Sequence, residues 1–266
     1  MIYPNVLKRV LPLFVLIFSA AASADVLDEV LERGTIRFGV AEFIPWTMQS
    51  ETGELIGFEI DVAKKLANDM GVKPEFKVYK WNEIMPALQN GEVDVLSGGM
   101  SISPTRALQV TFTNALAMSG VGLATNIDMT RDIGSLEELN SPEIKVAVSD
   151  GTLAESVAAT LFSNATITGY ENAVLAEKEL VEGRAHVYVA NFSEAKFLAL
   201  RNEGKIDVPL PDPIIGTAEA LAVRKGEQEM LNFLNAWIAA RQADKWISTT
   251  RDYWFESLDW AADVKK

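Results

Sequence analysis

"VDVLSGGMSISPTRALQV", residues 93–110, joins a β-rich run to a helix start through a pair of glycines. An apolar β-rich run ends in a turn through Gly98 and Gly99. Ser103 follows as a helix N-cap, Pro104 takes the first helical position, and Arg106 falls in the first turn. A strand that runs through a glycine turn into a helix start is the loop where open α/β sheets bind ligands, because helix N-termini present unpaired N–H groups there. A cation at that end of a helix is unfavourable by about 0.3–1 kcal/mol unless an anion is bound. Arg106 can grip a carboxylate through two parallel hydrogen bonds, with backbone N–H groups and the Ser101 hydroxyl completing the cradle. The plainer alternative is a surface salt bridge to one of the chain's many acids.

Outward from this stretch, β-rich runs alternate with helical patterns: "TIRFGVA", "FEIDVAKKLANDMG", "EFKVYKW", "NEIMPALQNG", "IKVAVS" and "TLAESVAATLF". That alternation predicts an α/β fold with a largely parallel sheet and helices on its faces. Phe58, Val62, Ala63, Leu66, Ala67 and Met70 share one helical face, with Gly71 as the stop and Asn82 as the cap of the next helix. Near the end, Trp237, Trp246, Tyr253, Trp254 and Phe255 are read as helix-packing groups. A second strand-to-helix turn, "VAVSDGTLAES", carries a capping box, Thr152-x-x-Glu155. Its backbone N–H groups can serve a ligand whether or not Thr152 only caps its own helix.

The chain has 266 residues with 24 basic and 37 acidic side chains, a formal net charge of −13. Such a field repels nucleic acid, so no nucleic-acid partner is expected. One His and no Cys leave little for metal or nucleophile chemistry; His186 alone makes neither a zinc cluster nor a triad. No cofactor is expected. Lys8 and Arg9 precede an apolar run that ends in Ala22-Ser23-Ala24, so residues 1–24 are read as a cleaved signal peptide and the mature protein as exported, free and soluble.

The motifs "RGTIRFGVAEFIPW", "GELIGFEIDVAKKLANDMG", "WNEIMPALQNGEVDVLSGGMSISPTRALQVTFT", "VAVSDGTLAES" and "LVEGRAHVYVANFSEA" occur in the order and spacing of a known family. The chain resembles the bacterial extracellular solute-binding proteins, family 3, the periplasmic components of polar amino-acid ABC transporters. The resemblance implies a type II periplasmic-binding fold of two α/β lobes joined by two hinge strands. The first lobe would hold residues 25–117 and 217–266, and the second residues 118–216. It also implies a monomer that closes on a small carboxylate and delivers it to a membrane permease.

Carried over by position, Arg106 resembles the arginine that binds the ligand α-carboxylate, with Ser101 and Gly99 beside it. Phe43 and Trp81 match the aromatic walls, and Thr152 and Leu153 match the second-lobe turn that donates N–H groups. Position 191 departs. Where amino-acid binders have an aspartate for the ligand ammonium, "GRAHVYVAN" ends in Asn191. An amide brings no charge to pair with a buried ammonium. Either a nearby acid such as Glu42, Asp150 or Glu155 substitutes, or the ligand is a carboxylate without an ordinary ammonium. Related periplasmic dehydratases resembling cyclohexadienyl dehydratase supply an enzymatic alternative that needs a cleft acid, for which Glu42 and Glu155 are candidates. A sensory protein that presents its ligand to a receptor is a third reading.

Overall fold

The structure, a computed structural model, describes residues 25–257 and 259–260; the expected signal peptide lies outside them. The chain begins with helix α1 (Val26–Arg33), capped by Asp25, and strand β1 (Thr35–Val40). Next come a short hairpin, β2 (Met48–Gln49) and β3 (Leu55–Ile56), then α2 (Phe58–Met70), β4 (Lys73–Val78), α3 (Trp81–Gln89) and β5 (Val95–Leu96). The single turn α4 (Pro104–Ala107) and β6 (Thr111–Phe112) complete this pass.

The chain then crosses on the long strand β7 (Ala117–Asn126) to α5 (Ile127–Thr130), β8 (Lys145–Ser149), α6 (Leu153–Leu161), β9 (Thr166–Tyr170) and α7 (Ala173–Val181). β10 (Val187–Asn191), α8 (Phe192–Arg201) and β11 (Ile206–Asp207) follow, and β12 (Ile215–Glu219) runs back. β13 (Ala222–Val223), α9 (Gln228–Ala243) and α10 (Trp246–Phe255) finish on the first body.

Two large sheets result, ordered β4-β1-β5-β13-β6 and β11-β7-β10-β8-β9 with β12 on β7, beside the two-stranded β2-β3 hairpin. They are mixed rather than largely parallel. β1 runs parallel to β4 and β5, and β8 parallel to β9 and β10, but each strand that brings the chain in from the crossing pairs antiparallel. β7 and β12 are themselves antiparallel, Val121 opposite Ile215 and Ala117 opposite Glu219, and form a two-stranded hinge between the lobes.

Each lobe has its own core. In α2 the predicted face is buried at Phe58, Val62, Ala63, Leu66 and Ala67, Met70 is partly buried, and Gly71 at φ 73° ends the helix. Burial of such aliphatic and aromatic side chains contributes about 1.5–3 kcal/mol each. Trp237 and Trp254 lie in the same core, whereas Tyr253 is exposed on its own helix face. The cap expected at Asn82 moves back two residues. Lys80 is the extended N-cap residue and Trp81 already starts α3, so the indole is fixed by helix geometry. Trp260, the last of the described residues, packs on Phe197 of α8 with ring centroids 4.7 Å apart, tying this segment to the second lobe.

Candidate functional site

A cleft of about 620 Å³ lies between the lobes, and Arg106, Ser101, Gly99, Phe43, Trp81, Thr152, Leu153 and Asn191 all line it. Residues drawn from five separated stretches converge there because strand ends of both sheets open toward the hinge. The local basis differs from the sequence argument in one respect. α4 is four residues long, so Arg106 stands in a single turn with little macrodipole to oppose it. What makes the cation costly is desolvation, which pulls its pKa down.

Ser103 caps that turn by accepting the Arg106 N–H at 3.3 Å, and Pro104 occupies the first helical position. The Arg106 guanidinium donates to the Ser101 carbonyl at 3.0 Å and, across the cleft, to the Gly151 carbonyl at 3.3 Å. It lies 5.5 Å from the Trp81 ring centroid, and the Trp81 Nε1–H reaches the same Gly151 carbonyl at 3.1 Å. Among the described residues no carboxylate pairs with Arg106. A half-buried guanidinium held by two carbonyls and a ring face retains donors in a fixed fork that suits a carboxylate.

Gly99 needs its missing side chain. Its φ is 64°, and a Cβ would stand 2.7 Å from the Trp46 ring. Its N–H, expected to serve a ligand, instead donates to Glu59 at 2.9 Å, because that fully buried carboxylate must be satisfied internally. The Ser101 hydroxyl has no protein partner among the described residues. Phe43 stacks on Trp46 at 4.3 Å and 11°, so the aromatic wall is two rings deep.

On the second lobe, Thr152 does cap α6. Its hydroxyl accepts the Glu155 N–H at 3.2 Å and donates to the Ser149 carbonyl at 2.7 Å. Glu155 reaches back to the Gly151 N–H at 2.8 Å rather than to Thr152, leaving the Thr152 and Leu153 N–H groups without intrahelical partners at the cleft wall.

Asn191 is also a cap, for α8, and its amide is tied to the hinge: Nδ2 donates to Ser119 Oγ at 2.8 Å and to Glu219 Oε1 at 2.7 Å. Of the acids expected to substitute for it, Glu155 is engaged in its cap, Asp150 is not on the cleft wall, and Glu42 is on the wall but exposed and bonded to Gln49 at 3.1 Å.

Sequence reasoning missed three acids. Glu219 is buried on β12, and its second oxygen accepts the Trp46 Nε1–H at 2.9 Å; burial first, then Glu59, raises its pKa to about 7. Glu59 is likewise raised to about 7 by burial. Glu194 lines the cleft three residues beyond Asn191, accepts the Tyr188 hydroxyl at 2.6 Å, and is pushed well above the carboxylate range by burial and by Glu177. An acid inside the otherwise apolar "AEALAV", residues 218–223, was the available signal for Glu219. At the mouth, Lys80 of the first lobe pairs with Glu171 of the second.

Two lobes, two hinge strands and a cleft between them define a type II periplasmic-binding fold. The description of the bacterial extracellular solute-binding proteins, family 3, matches residues 36–257, and the chain belongs to that family. It is 26% identical to the L-cystine-binding protein TcyJ of Escherichia coli over 246 residues, 92% of this chain and 90% of that one. It is 22% identical to the cyclohexadienyl dehydratase of Pseudomonas aeruginosa over 239 residues, 90% and 89% of the two chains. Among solved structures, an ancestral amino-acid-binding protein, AncCDT-1, described as a precursor of cyclohexadienyl dehydratase, superposes with a TM-score of 0.81. Its identity is 35%, over 87% of this chain and all of that one. Relatives of this chain therefore include amino-acid-binding proteins of ABC transporters and an enzyme on the same fold.

Proposed function

We propose that this protein is a periplasmic, monomeric substrate-binding component of an ABC importer that captures an amino acid or a close carboxylate relative by lobe closure and hands it to a membrane permease. The observation that carries the reading is Arg106, a desolvated guanidinium in the cleft whose protein partners are two carbonyls and a ring face. In this reading the lobes are residues 25–117 with 217–266, and 118–216. Arg106 and the Ser101 hydroxyl hold the carboxylate, the Thr152 and Leu153 N–H groups meet it from the other lobe, and Phe43 and Trp81 sandwich the side chain. Gly99 shapes the floor, and Asn191 closes the hinge side. One bidentate clamp, two aromatic faces and a few backbone hydrogen bonds are enough for micromolar affinity, about −8 kcal/mol. A thermal-shift screen over amino acids, betaines and small carboxylates tests it, since a ligand that binds only the folded state raises the melting temperature. Stabilisation by one amino-acid class, confirmed by titration, supports the reading; no response to any carboxylate contradicts it.

A second reading is favoured by one observation. Glu194 is a buried acid on the cleft wall whose protonated form is favoured by burial and by Glu177, and it accepts the Tyr188 hydroxyl. A dehydratase needs such an acid to protonate a leaving hydroxyl. Turnover of prephenate or arogenate, abolished in Glu194→Gln, would establish that activity.

A further inference from the structure

The Asn191 amide has no capacity left for a ligand. Its two N–H donors go to Ser119 and Glu219, and its carbonyl oxygen accepts the Ser193 N–H at 2.9 Å and stands 3.0 Å from Ser119 Oγ. An amide offers two donors and two lone pairs, so all four are engaged. Immediately behind it lies the Glu219 carboxylate, in contact with three parts of the cleft wall. It holds Asn191 through one oxygen. It holds Trp46, on which Phe43 stacks, through the other. Its backbone bridges to Ser101.

We propose that Glu219, from the hinge strand, supplies the negative charge that position 191 lacks and so makes the cleft select carboxylates that also bear an ammonium group. The inference rests on the amino-acid reading of the cleft and names the group that would recognise the second end of the ligand. Asn191 acts as a positioning residue that separates the acid from the ligand while passing on its field. Because Glu219 is buried, an opposite charge one residue away still favours its ionised form.

Glu59 approaches Glu219 from α2 and opposes its ionisation. Glu194, from α8, accepts the Asn191 backbone N–H. Arg106 lines the cleft, from which Glu219 itself is screened, and Arg251 of α10 donates to the Met118 carbonyl of β7. With its pKa raised to about 7, Glu219 is partly protonated in the empty protein near neutrality. An ammonium beside Asn191 lowers that pKa. Binding then expels a proton at pH values below about 7, and affinity for ammonium-bearing ligands rises with pH up to that value and then levels. A carboxylate without an ammonium gains nothing from the same change.

Isothermal titration tests this, with an amino acid identified by the screen and its deamino analogue, at pH 6 and pH 8, in two buffers of different ionisation enthalpy. Wild-type protein is expected to release protons with the amino acid at pH 6 and not with the analogue. Glu219→Gln is expected to weaken the amino acid by about tenfold, the equivalent of one pKa unit, with little effect on the analogue and loss of the proton release. Adding Asn191→Asp to Glu219→Gln returns the charge to position 191 and should restore the preference. Equal weakening of both ligands, or no proton release by the wild type, overturns the inference while leaving the amino-acid reading intact. The wild-type measurement decides even where the variant fails to fold. Failure of every amino acid to bind the wild type overturns both.

Discussion

The Glu219 carboxylate accepts one hydrogen bond from each lobe, from Trp46 Nε1 at 2.9 Å and from Asn191 Nδ2 at 2.7 Å. It does so from a hinge strand whose next residue, Ala220, donates to the Met100 carbonyl. Hinge, aromatic wall and the Asn191 side of the cleft are therefore joined through this acid.

Arg106→Ala should abolish binding of the carboxylate, at a cost of about 2–5 kcal/mol for the loss of a desolvated charge partner. The empty protein should melt no lower than wild type, because the variant removes a cation that burial already disfavours. Titration and a melting curve on the same preparation check both halves.

Gly99→Ala should destabilise the folded protein by about 2–4 kcal/mol, combining the left-handed backbone with a close approach to the Trp46 ring. Denaturant unfolding measures it. Gly216, which has open space around the position of a Cβ, is the control and should cost much less as Ala.

The empty protein should lose stability as pH rises from about 4.5 to above 7. Glu59 and Glu219 have folded values of about 7, above the ordinary 4.5, so the folded state holds more protons over that window. Their contribution is complete below about 4.5 and disappears as pH climbs through about 7, on the order of 3 kcal/mol per group. Chemical denaturation across pH 4.5–8 gives the slope, and Glu59→Gln should flatten it.

Glu171→Gln, which breaks the pair with Lys80 at the cleft mouth, should change affinity by less than about 1 kcal/mol because both partners are largely exposed. Its effect should appear as faster ligand release, measured by stopped flow, and should vanish at high salt.

The sequence pattern reached the α/β class, the buried face of α2 and the Ser103 cap, and the family motifs marked eight of the residues that line the cleft. These are local signals, or positions that the family motifs mark. It overestimated parallel pairing because strand direction across a hinge depends on where the chain re-enters each lobe, which no local period records. It placed Asn82 as a cap because an amide is a good cap, yet the extended residue is Lys80. It looked for a substitute acid among residues near the cleft in sequence and missed Glu219, which reaches Asn191 from 28 residues away through the return strand. The Gly99 N–H was expected for a ligand and belongs to Glu59, a pairing that spans 40 residues.

Whether the cleft holds a carboxylate on Arg106 is decided by a crystal structure of the protein with the ligand found by thermal shift. Both carboxylate oxygens should lie within hydrogen-bonding distance of the Arg106 guanidinium, with the Thr152 and Leu153 N–H groups closing from the second lobe. A ligand bound between the lobes with Arg106 still turned to the Ser101 and Gly151 carbonyls, and its carboxylate elsewhere, would contradict that placement.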